Sequence, residues 1–481
     1  MESTKQKVLS NLIWRFAERC GAQFVQFIVQ IVLARILMPE DYGTVALITV
    51  FINILQVFVD SGLGNALIQK KDADDTDFST VFYTNIVFCI FLYLCVFIAA
   101  PFISKFYNNN QLTSLTRVLG ITILISGVKN VQQAYVSKNL IFKKFFFATL
   151  AGTIGAAFVG IFMALHGMGA WAIVGQQLFN LTLDTIILWI TVKWRPKLVF
   201  SLKRLKSLFS YGWKLLVSSI LETVYNDVRQ LIIGKMYTST DLAFYNKGKQ
   251  FPVFIVNNIN SSINSVLLPA MSKEQDNKAK VKAMTRKSIK TSIFFMAPLM
   301  MGLAFCANNI ISIVLTDKWL PCVPYLIIFC ITYMFYPIHT ANLNAIKAMG
   351  RSDLFLKLEI IKKIIGIILL ILTMRISVMA MAYSLLVSGL LSQIINAWPN
   401  KKLLDYDYIQ QLKDILPTII LAVIMGTIVY LINLINLSTI VTLVIQIISG
   451  GLIYILGAYL LKVDTFNFII DTIKGMLKKK S

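Results

Sequence analysis

Long apolar segments alternate with short polar turns along almost the whole chain. Fourteen of these segments reach the length of about 20 residues that a helix needs to cross a bilayer. They cover residues 11–37, 42–67, 79–104, 112–136, 145–166, 169–193, 207–237, 243–269, 290–316, 322–346, 354–375, 378–399, 412–434 and 438–461. The pattern predicts an all-α, polytopic membrane protein with about 14 transmembrane helices.

The first predicted hairpin carries polar residues at helical spacing. Arg15, Arg19, Gln26 and Gln30 follow one another at steps of four, seven and four residues. They therefore share one face of a helix. Lipid cannot satisfy such a face, so it must meet water or protein.

This hairpin recurs about two hundred residues later. At that offset Gln26 aligns with Asn226, and Gln30 aligns with Gln230. Six spans precede the second copy, so the two copies have the same orientation and form a parallel repeat. We predict two parallel six-helix bundles, related by a pseudo-two-fold axis along the membrane normal, followed by two accessory helices that face lipid.

The repeat also sets the expected domain limits. A first lobe and a second lobe are separated by a basic cytoplasmic linker, and the accessory helices end in a basic tail. The corresponding ranges are 1–193 for the first lobe, 194–206 for the linker, 207–400 for the second lobe and 401–481 for the accessory helices and tail.

Composition and charge support the membrane class. The chain is 57% hydrophobic and only 14% charged, which excludes an ordinary soluble domain. Its net charge is +23, and the excess Lys and Arg residues lie mainly in alternate loops. This distribution is typical of the cytoplasmic loops of membrane proteins. We therefore expect both termini in the cytoplasm, no cleavable signal peptide and no nucleic-acid partner.

Signatures of enzymes and of cofactor sites are missing from the sequence. It contains no nucleotide-binding GxxxxGK[ST], no HExxH and no GxSxG, and its six cysteines form no CxxC pair. The acidic run from Asp72 to Asp77 is explained by solvated charge and a helix N-cap near Asp77. We expect no catalytic residue, no metal, no cofactor and no enzymatic activity.

Charges at membrane depth are the remaining candidates, because each costs about 2.5–3.5 kcal/mol to insert. Lys214, Tyr225 and Arg229 share a face of the seventh span, with Glu222 at its margin. Two cationic helices, one from each lobe, would suit an anionic substrate, and Arg pairs well with phosphate. Local neutralisation, as in an Arg15–Glu18 or a Lys214–Glu222 pair, is the alternative.

The predicted site combines these two stripes. The expected substrate-binding residues are Arg15, Arg19, Gln26, Gln30, Lys214, Tyr225 and Arg229. Asp60 and Glu222 are candidates for coupling transport to an ion.

The run from Leu33 to Asn85 also resembles a known family. It contains Arg35, Pro39, Tyr42 and Gly43, followed by the stretch DSGLGNALIQ. These residues resemble the polysaccharide-transport branch of the multidrug/oligosaccharidyl-lipid/polysaccharide exporter superfamily, especially exporters of colanic-acid and teichuronic-acid type repeat units. Further likeness lies in GMGAWAIVGQQL and AFYNKGKQFP.

The resemblance implies a flippase of the bacterial inner membrane that acts by alternating access. Its substrate would be a polysaccharide repeat unit (of O-antigen, capsule or exopolysaccharide) on undecaprenyl pyrophosphate, moved from the cytoplasmic to the outer leaflet. Membrane lipid, a polymerase and glycosyltransferases of the same pathway are the implied partners. A small-molecule or drug antiporter of the same superfamily is the alternative, and a membrane enzyme is a third reading that the lack of a large outer loop disfavours.

Overall fold

The computed structural model describes residues 21–60, 62–435 and 437–478, and every regular element in these ranges is helical. Short 3₁₀ turns at Asp317–Cys322 and Ile432–Ile435 join some of the helices. The helices are α1 (described over Gly21–Ile36), α2 (Pro39–Asp60), α3 (Leu63–Gln69), α4 (Asp75–Tyr107), α5 (Gln111–Lys138), α6 (Lys143–Leu165), α7 (Ala170–Thr191), α8 (Leu202–Met236), α9 (Ser239–Lys273), α10 (Lys278–Phe305), α11 (Ala307–Leu315), α12 (Val323–Met334), α13 (Tyr336–Ala348), α14 (Ser352–Thr373), α15 (Val378–Leu404), α16 (Tyr408–Leu431), α17 (Thr439–Leu460) and α18 (Asp464–Lys478).

The all-helical, multi-pass architecture expected from the sequence is confirmed. Ten helical segments in the described ranges are long and apolar enough to cross a membrane. Helices α8, α9 and α14 are also long, at 35, 35 and 22 residues, but they carry too many polar or charged residues to meet that measure. The count of fourteen spans stays a prediction.

The chain divides into two compact units, Met1–Ala243 and Phe244–Ser481. In the first unit α6 packs along α7, α4 packs along α5, and α5 also contacts α7. Helix α8 lies along α2 and touches α3 and α4, so it belongs to this unit by its contacts. The domain limits expected from the repeat stay a prediction.

In the second unit α10 packs along α16, and α14 packs along α15. The Arg286 guanidinium of α10 binds the Asp414 carboxylate of α16, with Nε 2.7 Å from Oδ2, and the Tyr406 hydroxyl donates to the same oxygen at 2.7 Å. One face of α16 is therefore buried against protein. Only its other face, with Leu416 and Ile420 exposed, fits the expectation that the last two spans face lipid.

Candidate functional site

The predicted site residues within the described ranges lie on α1, α2 and α8, all in the first unit. Arg15 and Arg19 lie outside the described residues. On α1, Gln26 is exposed and Gln30 is half-buried. The backbone carbonyl of Gln30 lies 3.5 Å from the Tyr42 hydroxyl of α2, which donates to it.

Helix α8 carries the second polar stripe. The Ser201 hydroxyl caps its first turn by accepting from the backbone N–H of Arg204 at 3.4 Å. The helix then continues without a break to Met236, so Lys214, Tyr225 and Arg229 stand on one face, as the spacing predicts. Lys214 and Glu222 are exposed, whereas Tyr225 and Arg229 are half-buried.

Small residues allow α2 and α8 to approach closely at two levels. A Cβ added at Gly212 of α8 would lie 2.8 Å from the carbonyl oxygen of Gly62, which follows α2. A Cβ added at Gly234, farther along α8, would lie 2.0 Å from a methyl carbon of Leu47. Both distances are far below ordinary van der Waals contact. At Gly212 the clash is with a backbone atom, so glycine is required there, whereas at Gly234 a side chain would displace the Leu47 side chain.

The contact between Gly62 and Gly212 brings two predicted site residues into one region. Asp60 ends α2 two residues before Gly62, and Lys214 lies two residues after Gly212. The Asp60 carboxylate is exposed, and its Oδ1 accepts from the side-chain amides of Gln56 at 3.1 Å and Asn130 at 3.2 Å. Glu222, the other candidate for ion coupling, is exposed farther along α8.

A buried ion pair joins α5 and α7 in the same unit. The Lys129 ammonium contacts the Asp184 carboxylate, and their side chains are only 13% and 8% exposed. Each residue lies in a predicted span, 112–136 for Lys129 and 169–193 for Asp184, but the sequence does not show that they meet. Opposite charges in two predicted spans of the same lobe were the only hint of this ion pair in the sequence.

We define the basic end of the first unit by four residues, Lys70, Lys138, Lys144 and Arg204. A cluster of charged side chains lies there. Asp77 is completely buried there, and both of its oxygens accept from the Lys70 ammonium at 2.7 Å. Arg204, at the start of α8, lies 3.2 Å from the same carboxylate. Lys138 donates to the Leu67 carbonyl at 3.3 Å, and Lys144 donates to the Thr191 carbonyl.

The predicted helix cap in the acidic run is confirmed. Asp74 is the N-cap of α4 and forms a capping box with Asp77: each side chain accepts from the other residue's backbone N–H, at 3.0 and 3.2 Å. The Arg204 guanidinium beside Asp74 holds the pKa of that carboxyl well below its usual range. Within the described ranges no group of three or more His, Cys, Asp or Glu residues could hold a metal ion.

Comparison with known proteins gives a family match and two informative relatives. A family model described as "Polysaccharide biosynthesis protein" matches residues 32–324. The teichuronic acid biosynthesis protein TuaB of Bacillus subtilis is 24% identical over 359 residues, which cover 74% of each chain. The lipopolysaccharide biosynthesis protein WzxC of Escherichia coli is 24% identical over 398 residues, which cover 82% of this chain and 80% of that one.

Solved structures share the fold. The lipid II flippase MurJ, in an inward closed conformation, has a TM-score of 0.76 at 15% identity, covering 94% of this chain and 99% of MurJ. An inward-facing multidrug resistance MATE family transporter of the MOP superfamily has a TM-score of 0.60 at 12% identity, covering 81% and 98% of the two chains. The family match confirms the resemblance noted in the sequence, and the two solved structures show that the chain shares their fold.

Proposed function

Because the chain belongs to the polysaccharide biosynthesis protein family, we propose that it flips undecaprenyl-pyrophosphate-linked polysaccharide repeat units from the cytoplasmic to the outer leaflet of the bacterial inner membrane. The observation that carries the proposal is the family match over residues 32–324. The names of TuaB and WzxC support a surface polysaccharide as the cargo. The likeness of fold to MurJ supports an architecture able to flip a lipid-linked saccharide.

The chemistry of such a substrate explains why a protein is needed. Burying each polar group of a sugar–pyrophosphate head in hydrocarbon costs on the order of 2–7 kcal/mol. A hydrated passage lined by polar helices removes that cost, while the lipid tail stays in the bilayer. The inside-negative potential favours outward movement of an anion by about 2.3 kcal/mol per charge per 100 mV.

We assign pyrophosphate binding to the two polar stripes. Arg15, Arg19, Gln26 and Gln30 form the first, and Lys214, Tyr225 and Arg229 form the second. Asp60 and Glu222 are the groups to which ion coupling is assigned. The protein alternates between inward-open and outward-open states, with both termini in the cytoplasm, and hands its cargo to a polymerase after glycosyltransferases have built it.

The direct test reconstitutes the purified protein into liposomes with its lipid-linked repeat unit and measures how much becomes accessible on the opposite leaflet. We expect Arg229→Ala to reduce the initial rate at least tenfold, because an Arg–phosphate pair is lost. The control is Lys280→Ala, which alters an exposed lysine paired with Glu274 at 3.0 Å. An unchanged rate for Arg229→Ala would refute the site assignment, and a parent protein that moves no lipid would refute the function.

Export of small organic cations is the second candidate function, favoured by the MATE-like fold. A cation exporter needs carboxylates along its passage, and Asp60 and Glu222 are exposed in the first unit. Uptake of a labelled organic cation by the same liposomes, abolished by Asp60→Asn, would favour this function over the flippase.

A further inference from the structure

Helix α9 contains an uncharged polar segment at its centre. From Gln250 to Ser272 it has no charged residue, yet residues 257–265 read NNINSSINS. The described side chains Asn257, Asn258, Ser261, Asn264 and Ser265 are all exposed. Exposed amides and hydroxyls in the middle of a helix this long cannot be left against lipid, which offers no hydrogen-bond partners.

The opposite face of α9 is committed to packing inside the second unit. A Cβ added at Gly248 would lie 2.8 Å from the backbone N of Leu326, and Tyr245 stacks edge-on against Phe329 at 5.2 Å between ring centroids. Val256, Asn260 and Met271 continue this buried face. Helical geometry then places Asn258, Ser261 and Ser265 on the side turned away from α12.

Hydrogen bonds from α13 hold two asparagine side chains of α9, next to the exposed surface. The Thr340 hydroxyl of α13 donates to the Asn260 side-chain oxygen at 3.2 Å, and the Asn344 amide donates to the Asn264 side-chain oxygen at 2.7 Å. Asn260 is buried, yet its Nδ2 has no hydrogen-bond partner in the described part of the chain. A buried amide donor without a partner is costly, so a water molecule completes it on this buried side, behind the exposed surface.

We propose that Asn257, Asn258, Ser261 and Ser265 form a binding surface for the sugar hydroxyl groups of the transported saccharide; this inference rests on the proposed flippase function. Side-chain amides and hydroxyls donate and accept, as sugar hydroxyls do, and they impose no charge requirement. The surface therefore suits the uncharged saccharide part of the substrate rather than its pyrophosphate.

The first test asks whether this face meets water. In a background with Cys20 and Cys95 replaced by serine, Ser261→Cys is compared with Val266→Cys, whose native side chain is 69% exposed but lies in an apolar run. A membrane-impermeant maleimide is applied to both leaflets of reconstituted full-length protein. We expect Ser261→Cys to react at least tenfold faster. Equal or slower reaction would mean that the α9 surface faces lipid and would overturn the proposal.

The second test separates sugar from pyrophosphate. Binding of the lipid-linked saccharide extracted from membranes of a strain that lacks this protein, and of sugar-free undecaprenyl pyrophosphate, is measured on the full-length protein by native mass spectrometry. The Asn257→Ala/Ser261→Ala/Ser265→Ala variant is expected to lose at least tenfold in affinity for the sugar-bearing lipid and less than twofold for the bare lipid. Arg229→Ala should weaken both, and Val266→Ala neither.

The outcomes separate failure of the α9 assignment from failure of the flippase function. If the parent binds the sugar-bearing lipid and the triple variant binds both lipids unchanged, the α9 surface has no role and only this inference fails. If the triple variant loses both lipids equally, the surface does not select the sugar, and the inference fails again. If the parent binds neither lipid, the flippase function fails, and the α9 assignment fails with it.

Discussion

At the scale of single residues, the charges of this protein divide by burial rather than by sign. Asp77 and Asp184 are buried and paired, Lys129 is half-buried in its pair with Asp184, and Lys214 and Glu222 are exposed on α8. Buried pairs are costly to break because the remaining partner keeps its desolvation cost. Exposed charges within a membrane helix are costly to keep, so they are the better candidates for contact with cargo.

Replacing Asp77 should weaken the basic end of the first unit. Asp77→Asn removes the negative charge that pairs with Lys70 and Arg204 and one of the two oxygens that accept their hydrogen bonds and that of the Asp74 backbone N–H. We expect a loss of about 1–3 kcal/mol of unfolding free energy, seen as a lower thermal midpoint of the purified protein. Asp353→Asn, which breaks the exposed pair with Arg351 (2.9 Å), is the matched control and should change the midpoint little. Equal effects would contradict a structural role for burial at Asp77.

The Lys129–Asp184 pair should behave as one unit. Lys129→Met leaves the buried Asp184 carboxylate unpaired and should cost about 3–5 kcal/mol of unfolding free energy. Adding Asp184→Asn to the same protein should restore part of the thermal midpoint, because the uncompensated charge is gone. Lys129→Arg, which keeps the charge, is the control. A double variant no more stable than Lys129→Met would show that the two side chains do not interact.

Whether the sequence could predict a contact between two residues depends on how far apart they lie along the chain. Helical steps of four and seven residues placed Lys214 and Arg229 on one face, because that relation is local. Lys129 and Asp184 are 55 residues apart, and only the packing of α5 against α7 brings them together. Arg204 and Asp77 are farther apart still, so the cap was predictable but its guanidinium partner was not.

At the scale of elements, the packing of α2 depends on positions without side chains. Gly212 leaves room for the backbone of Gly62, and Gly234 leaves room for the Leu47 side chain, where α8 approaches α2. Gly43, in the first turn of α2, lies against the first residue of α9, within the first unit. A Cβ on Gly43 would fall 1.7 Å from the carbonyl oxygen of Ser239, a backbone atom that no rotamer change can move.

Adding one methyl group at this point should therefore separate the two helix starts. We expect Gly43→Ala to lower the thermal midpoint and to slow flipping in liposomes by at least tenfold. Gly451→Ala in α17 is the control, since no atom lies within 4 Å of its added Cβ. That change should be neutral or stabilising by about 0.5–1 kcal/mol, the usual helix preference for alanine. Indistinguishable variants would show that α2 and α9 can move apart freely.

The start of α8 could not be predicted from the local hydrophobic pattern alone. The seventh span was expected from residue 207, but α8 begins at Leu202 because Ser201 caps it. The preceding segment is held by α4, where the Ser79 hydroxyl accepts from the backbone N–H of Lys197 at 2.9 Å and the Thr80 hydroxyl accepts from that of Ser201 at 3.1 Å. Such tertiary anchoring has no periodic signature in the sequence.

At the scale of the whole molecule, orientation in the membrane follows from the distribution of basic residues. Helix α5 runs from Asn110, its exposed N-cap, to Asn139, which is exposed beside Lys138 at the basic end. Lys and Arg concentrate on the cytoplasmic side of membrane proteins. The two ends of α5 should therefore lie on opposite sides of the membrane.

We expect Asn110→Cys to react with a membrane-impermeant maleimide in intact cells, and Asn139→Cys to react only after the inner membrane is permeabilised. Both variants are made in the background with Cys20 and Cys95 replaced by serine, and the Cys-depleted parent is the control. The reverse pattern would invert the proposed topology, and labelling of both sites in intact cells would mean that α5 does not span the membrane.

The attachment of α8 to α2 has a consequence for any attempt to express the first unit alone. A fragment that ends at residue 193, before α8 begins, would expose the surfaces of α2, α3 and α4 that α8 covers. A fragment that ends at Ala243 would keep those surfaces covered.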